Sequence, residues 1–190
     1  MQRNGVNGRR IVFEILCILL LAALVFVDQA LKIYIKDLHY NQGWIGTEVI
    51  RGFFYITYAE NTGSAWSFLA DKEWAQLFFK ILTSVALVVF AVFYVYLIKK
   101  KKIHAKFPTL LFIAGTIGNF IDRLSYNYVI DFIGLRFWGY NFPVFNFADS
   151  CLCVGIIWLI IYVVFFSDFF KSKKGIDNKE SQDNNSETKE

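Results

Sequence analysis

The sequence predicts an all-α polytopic membrane protein. It has four transmembrane helices and a small extracytoplasmic β-like cradle between helices 1 and 2. Three observations carry this. Of the 190 residues, 56% are hydrophobic and the mean hydropathy is +0.41, above the usual apolar share of a soluble domain. Apolar runs long enough to cross about 30 Å of hydrocarbon recur along the chain. Lys and Arg gather in short blocks beside those runs, as membrane-flanking charge does. That clustering, more than the net charge of +4, speaks against nucleic acid as a partner.

The elements follow in order. Arg3, Arg9 and Arg10 precede an apolar run broken only by Glu14. The run is longer than a signal-peptide core and leads straight into Asp28-Gln29-Ala30-Leu31-Lys32 without a small-x-small cleavage site. An uncleaved first span is expected over about 11–33. Residues 34–75 are too mixed to span. Within them Glu48–Tyr58 is rich in β-branched and aromatic residues and reads as one or two short strands broken at Gly52. Asn61-Thr62-Gly63-Ser64 is turn chemistry. A second span is expected over about 76–98, with Lys99 to Lys102 behind it. A third runs over about 107–124, with Pro108 in its first turn and Gly115 and Gly118 permitting close helix approach. A fourth is expected over about 150–167, before Lys171, Lys173 and Lys174. Residues 1–170 form one membrane-embedded domain, and 171–190 a polar, disordered tail. Cys17, Cys151 and Cys153 all fall in apolar runs. Their odd number and spacing argue for small buried side chains over disulfides or a metal site.

Charge sets the topology. The N-terminus, the 99–106 loop and the start of the tail are basic, and the 34–75 and 125–148 connections are poor in Lys and Arg. Both termini are therefore cytoplasmic, and both long connections lie on the outer face. That places Asp131 and Asp149 together at the outer boundary, with Asn119, Asp122 and Arg123 near the outer end of the third helix. Two carboxylates sharing a site do not both ionise easily, and such a pair can activate water while polarising a carbonyl. Asp149, at a helix start, is the better resting anion. Asp131, among apolar neighbours, is then the proton holder. Each residue alone also has a structural reading. Asp149 is placed as a helix cap, Asp122 as a partner of Arg123 or Asn119, and Asp28 as an i,i+4 partner of Lys32. Taken as a set, they point to a site.

The set closely resembles the lipoprotein signal peptidase family, also called signal peptidase II. Five segments carry the resemblance, in the family's order: Asp28-Gln29-x-x-Lys32, Asn61-Thr62-Gly63-x-Ala65-Trp66-Ser67-Phe68, Gly118-Asn119-x-x-Asp122-Arg123, Val129-Ile130-Asp131-Phe132-Ile133 and Phe145-Asn146-x-Ala148-Asp149-Ser150. The departures are small: Ser64 where alanine is common, Phe147 where a smaller aliphatic is common, and the long polar tail. The resemblance implies an intramembrane aspartic endopeptidase of the bacterial inner membrane. Such enzymes remove signal peptides from prolipoproteins, cutting before a diacylglyceryl-modified cysteine. It places the catalytic pair on Asp131 and Asp149. Substrate binding or support falls on Asp28, Lys32, Asn61, Gly63, Ala65, Asn119, Asp122, Arg123 and Asn146. It implies no metal and no other cofactor, and His39 and His104 are isolated in the sequence. Membrane lipids are expected partners. Trp44, Trp66, Phe137, Trp138 and Tyr140 suit a lining or an anchor at the interface. The competing reading is a small ion or proton pathway subunit, which predicts carboxylates spread through the membrane depth. Only Glu14 lies clearly mid-run.

Overall fold

The computed structural model describes residues 4–63, 72 and 74–166 of the chain. Ser64, Ala65, Trp66, Ser67 and Phe68 lie outside the described residues, as does the expected tail at 171–190.

The described residues form four helices and four short strands: α1 Asn4–Gln42, β1 Thr47–Ile50, β2 Phe54–Asn61, α2 Ala75–Lys100, α3 Ile103–Tyr126, β3 Val129–Phe137, β4 Tyr140–Asn141 and α4 Phe147–Phe166. The fold is mostly helical with a small sheet, as expected. The strands form one antiparallel sheet in the order β1-β2-β3-β4. Glu48–Tyr58 does split around Gly52, whose φ of +71° makes the turn. The sheet is not confined to the connection between the first two helices, because β3 and β4 come from the connection before α4. Val129–Phe137 reads in sequence as an apolar run because its first half is buried. The β3–β4 turn is Trp138–Gly139, both at positive φ, the geometry that suits the twist of a two-residue hairpin.

Among the described residues, three helices are long and apolar enough to cross a membrane: Gly8–Gln42, Ala75–Lys100 and Phe147–Phe165. All are longer at one or both ends than the expected spans. The 39 residues of α1 extend about 58 Å at 1.5 Å per residue, nearly twice a hydrocarbon core. α3 is the helix that the other three share, packing against α1, α2 and α4. It is amphipathic and turns Thr109, Thr116, Asn119 and Asp122 inward. Pro108 is not in its first turn but inside the helix.

Close approach depends on small residues. A Cβ on Gly115 would sit 2.4 Å from the Ala148 carbonyl oxygen of α4, and one on Gly118 2.5 Å from Asp28 Oδ2 of α1. Large apolar side chains such as Ile18, Phe26, Ile81, Val88, Val92, Ile157 and Ile160 are exposed along the outer faces of α1, α2 and α4. Among the cysteines, Cys17 and Cys151 are buried as expected. Cys153 is exposed, and all three are free.

Candidate active site

Lys32 is the buried centre of the polar core, 1% exposed. Its ammonium lies 2.9 Å from Asp28 Oδ2, 2.9 Å from Asp122 Oδ2 and 3.1 Å from Asn119 Oδ1. An ammonium has three protons, and each has an acceptor. Asp28 and Lys32 pair at i,i+4 as the spacing suggests. Asp122 pairs with neither Arg123 nor Asn119. A helix rotates its side chains by about 100° per residue, so Asp122 faces α1 while Arg123 faces elsewhere. Asp122 also accepts from the Ile130 backbone N–H at 3.1 Å. It thereby ties the start of β3 to α3, one residue before Asp131. Gln29, a member of the first motif left out of the expected site set, sets the two N–H groups of its Nε2 among three acceptors, Asp28, the Gly118 carbonyl and Asp122, at 3.0–3.1 Å. Its position on the same helix face as Asp28 and Lys32 is the signal that could have found it.

Asp131 and Asp149 sit above this core, bridged by two asparagines. Asn146 donates from Nδ2 to Asp131 Oδ1 at 2.7 Å and to Asn119 Oδ1 at 3.0 Å. Asn119 in turn donates to Asp149 Oδ1 at 2.7 Å. Asn61 donates to the second Asp131 oxygen at 3.0 Å. Its side-chain Oδ1 accepts the Gly63 N–H at 3.0 Å, a local turn that leaves the Nδ2 pointing at Asp131.

The start of α4 explains how Asp149 is held. Asn146 Oδ1 accepts the Asp149 N–H at 2.9 Å, and Asp149 Oδ2 accepts the Asn146 N–H at 3.2 Å. This is a reciprocal capping box. The cap is therefore Asn146, and Asp149 is its third-position partner. Asp28 Oδ1 accepts the Ala148 N–H at 2.8 Å, which ties the same turn to α1. Arg123 donates to the Gly63 carbonyl at 3.3 Å and lies 5.2 Å from the centre of the Phe79 ring.

Asp131 lies in β3, outside the spanning helices. Burial first, then the charge of Asp149, push its carboxyl up to about 7, against the amides of Asn61 and Asn146 and the charge of Lys32. A carboxyl protonated near neutrality beside a second carboxylate can take or give a proton at the same reacting centre. Of the expected site residues, Asp28, Lys32, Asn61, Gly63, Asn119, Asp122, Arg123, Asp131, Asn146 and Asp149 converge. Ala65 lies outside the described residues.

Glu14 belongs to a separate cluster. It pairs with Lys106 and accepts from the Tyr94 hydroxyl at 3.1 Å. His39 stacks on Tyr58 with ring centres 4.4 Å apart.

A family profile described as "Signal peptidase (SPase) II" matches residues 20–165, well over half of the chain. The chain belongs to the signal peptidase II family. It is 40% identical over 154 residues to the "Lipoprotein signal peptidase" of Lactiplantibacillus plantarum (strain ATCC BAA-793 / NCIMB 8826 / WCFS1), covering 81% of this chain and 97% of that one. Two solved structures, each titled a bacterial membrane enzyme determined by the in meso method, at 2.3 Å and 1.9 Å, match with a TM-score of 0.65 and 35% identity. They cover 78% and 80% of this chain, and 87% and 94% of theirs. This signal peptidase II chain is thus a peptidase with membrane-spanning helices, and the polar core falls within the matched residues.

Proposed function

We propose that this signal peptidase II works as an aspartic endopeptidase, with Asp131 and Asp149 as its catalytic pair, on prolipoproteins whose cysteine carries diacylglycerol. It removes signal peptides from prolipoproteins, in keeping with its family and its relative. The observation that carries the aspartic reading is the bridge Asp131–Asn146–Asn119–Asp149, backed by Lys32.

The chemistry follows from that arrangement. Asp149, ionised at the first turn of α4, takes a proton from a water that attacks the scissile carbonyl carbon. Protonated Asp131 donates to the carbonyl oxygen as charge builds there. Collapse of the tetrahedral intermediate returns a hydroxyl proton to Asp131 and breaks the C–N bond. The departing amine of the lipidated cysteine takes its proton from Asp149, and the signal peptide leaves with a free carboxyl end. Asn61, Asn119, Asn146, Gly63 and Arg123 hold the pair. Asp28, Lys32 and Asp122 hold the helices that carry them.

The placement is four spans in the bacterial inner membrane, both termini cytoplasmic and the site at the outer face. Strands from both long connections share one sheet, which supports a common side for them. α3 serves as the fourth span because its polar residues are turned inward. The exposed apolar side chains of α1, α2 and α4 suit contact with lipid, including the substrate's acyl chains. The proton-pathway alternative loses support because Glu14 is already paired. The test is cleavage of a diacylglyceryl lipobox peptide by purified protein in EDTA. Wild-type cleavage with none by Asp149→Asn is expected. Cleavage lost in EDTA, or kept in the variant, overturns the aspartic reading.

A further inference from the structure

We infer that Glu60 is a positioning residue for the cleavage reaction: gripped by Tyr40 and Tyr58, it holds β2 in the register that aims the Asn61 amide at Asp131. The inference rests on the reading of Asp131 as catalytic.

The register comes first. β2 and β3 pair Ile56 with Ile133, then Ala59 with Asp131 and Asn61 with Val129. Thr57 and Tyr58 therefore stand opposite Phe132 alone, which makes a one-residue bulge in β2. A bulge of this kind re-aims the side chains that follow it. Its loss by a one-residue slip would turn every later side chain to the other face. With the bulge in place, Asn61 reaches the same face as Asp131 and donates to it. Tyr58 and Glu60 then point the other way, towards the end of α1.

That end of α1 closes on the bulge. Glu60 Oε1 accepts the Tyr40 hydroxyl at 2.7 Å and the Tyr58 hydroxyl at 2.8 Å. The Tyr58 oxygen lies 3.2 Å from that of Tyr128. His39 stacks flat on the Tyr58 ring, and Lys36 Nζ sits 3.4 Å from the centre of the Tyr126 ring. Burial acts to raise Glu60, but the three tyrosine hydroxyls and the Lys36 charge outweigh it and hold its carboxyl below its ordinary value. Hydrogen bonds to an ionised carboxylate are the stronger kind. The groups facing Glu60 are thus Lys36 and Tyr40 from α1, Tyr58 from β2 and Tyr128 from the turn before β3. Three segments converge on one carboxylate, on the side of β2 opposite the catalytic pair.

The test uses full-length protein, a diacylglyceryl lipobox peptide and the pH dependence of kcat. Glu60→Ala is expected to lower kcat about tenfold, as small misplacements near chemistry do, with KM within about twofold. The limb of the profile set by Asp131 moves to higher pH, because a lost amide donor favours the neutral acid. Asn61→Ala moves it the same way, and the double variant is no worse than Asn61→Ala, the mark of two residues acting through one contact. Glu60→Gln, which keeps an acceptor without the charge, falls between and serves if Glu60→Ala folds poorly. An unshifted profile in both Glu60 variants, or additive losses in the double variant, overturns the inference. Asp131→Asn is the separate control. Activity there sinks the catalytic reading itself, whatever Glu60 does.

Discussion

Lys32 and Asp122 lie 2.9 Å apart with almost no exposure, and this pairing joins α1 to α3 behind the strand that carries Asp131. Breaking one partner of such a buried pair leaves the other uncompensated and typically costs about 3–5 kcal/mol. Lys32→Met, which strands two carboxylates, should lower the thermal midpoint of the detergent-solubilised protein sharply and abolish activity with it. Asp131→Asn should abolish cleavage while leaving the midpoint unchanged or raised, since it removes a charge that burial and Asp149 oppose. Parallel unfolding scans and cleavage assays separate the two.

Acid–base behaviour gives the second prediction. Asp131 has its folded value raised from 3.8 to about 7. Between those values the unfolded chain has lost the proton and the native state keeps it. Stability from this group is therefore full below about 4 and declines as pH rises towards 7. Activity that needs Asp131 protonated should fall as pH climbs through about 7. Asp131→Asn should remove this part of the pH dependence of unfolding, measured by denaturation at about pH 4.5 and about pH 7.5.

The capping box gives the third. Asn146 both caps α4 and donates to Asp131. Asn146→Ala should lose about 1 kcal/mol from the cap, together with its bridging hydrogen bonds, and lower kcat about a hundredfold. Asn146→Asp keeps a capping acceptor but replaces the amide donor with another carboxylate. Its helix should melt later than that of Asn146→Ala, yet cleavage should be lost just as fully.

Helix contact supplies the fourth. Gly118→Ala places a methyl 2.5 Å from Asp28 Oδ2 and 3.0 Å from Ala148 Cβ. Parting α1, α3 and α4 there should cost about 1–3 kcal/mol and much of the activity. Gly8→Ala, in helix α1 with nothing within 4 Å, should leave cleavage intact in the same assay.

Much of this site is legible in the chain, for physical reasons. Carboxylates and amides in strongly apolar sequence need partners, so Asp28, Asn119, Asp122, Asp131, Asn146 and Asp149 stand out by their surroundings alone. Small residues in a helix mark where another backbone arrives, as Gly115 and Gly118 do. Partners across the fold are a different matter. Arg123 is next to Asp122 in sequence but points away, and Lys32 reaches it from another helix. The pairing of β2 with β3 is equally non-local, and β3, buried through its first half, lacks the alternation that marks a half-exposed strand. Gln29 is inconspicuous in the chain because an uncharged amide draws no attention until three acceptors surround it.

The Asp28 carboxylate accepts a hydrogen bond from the backbone N–H of Ala148, 120 positions later. A ribosome makes the first of these residues long before the second. Until the start of α4 has been made, Asp28 lacks that contact and Asn119 lacks its Asp149 acceptor. The polar core is therefore completed across the chain only when the start of α4 joins α1 and α3.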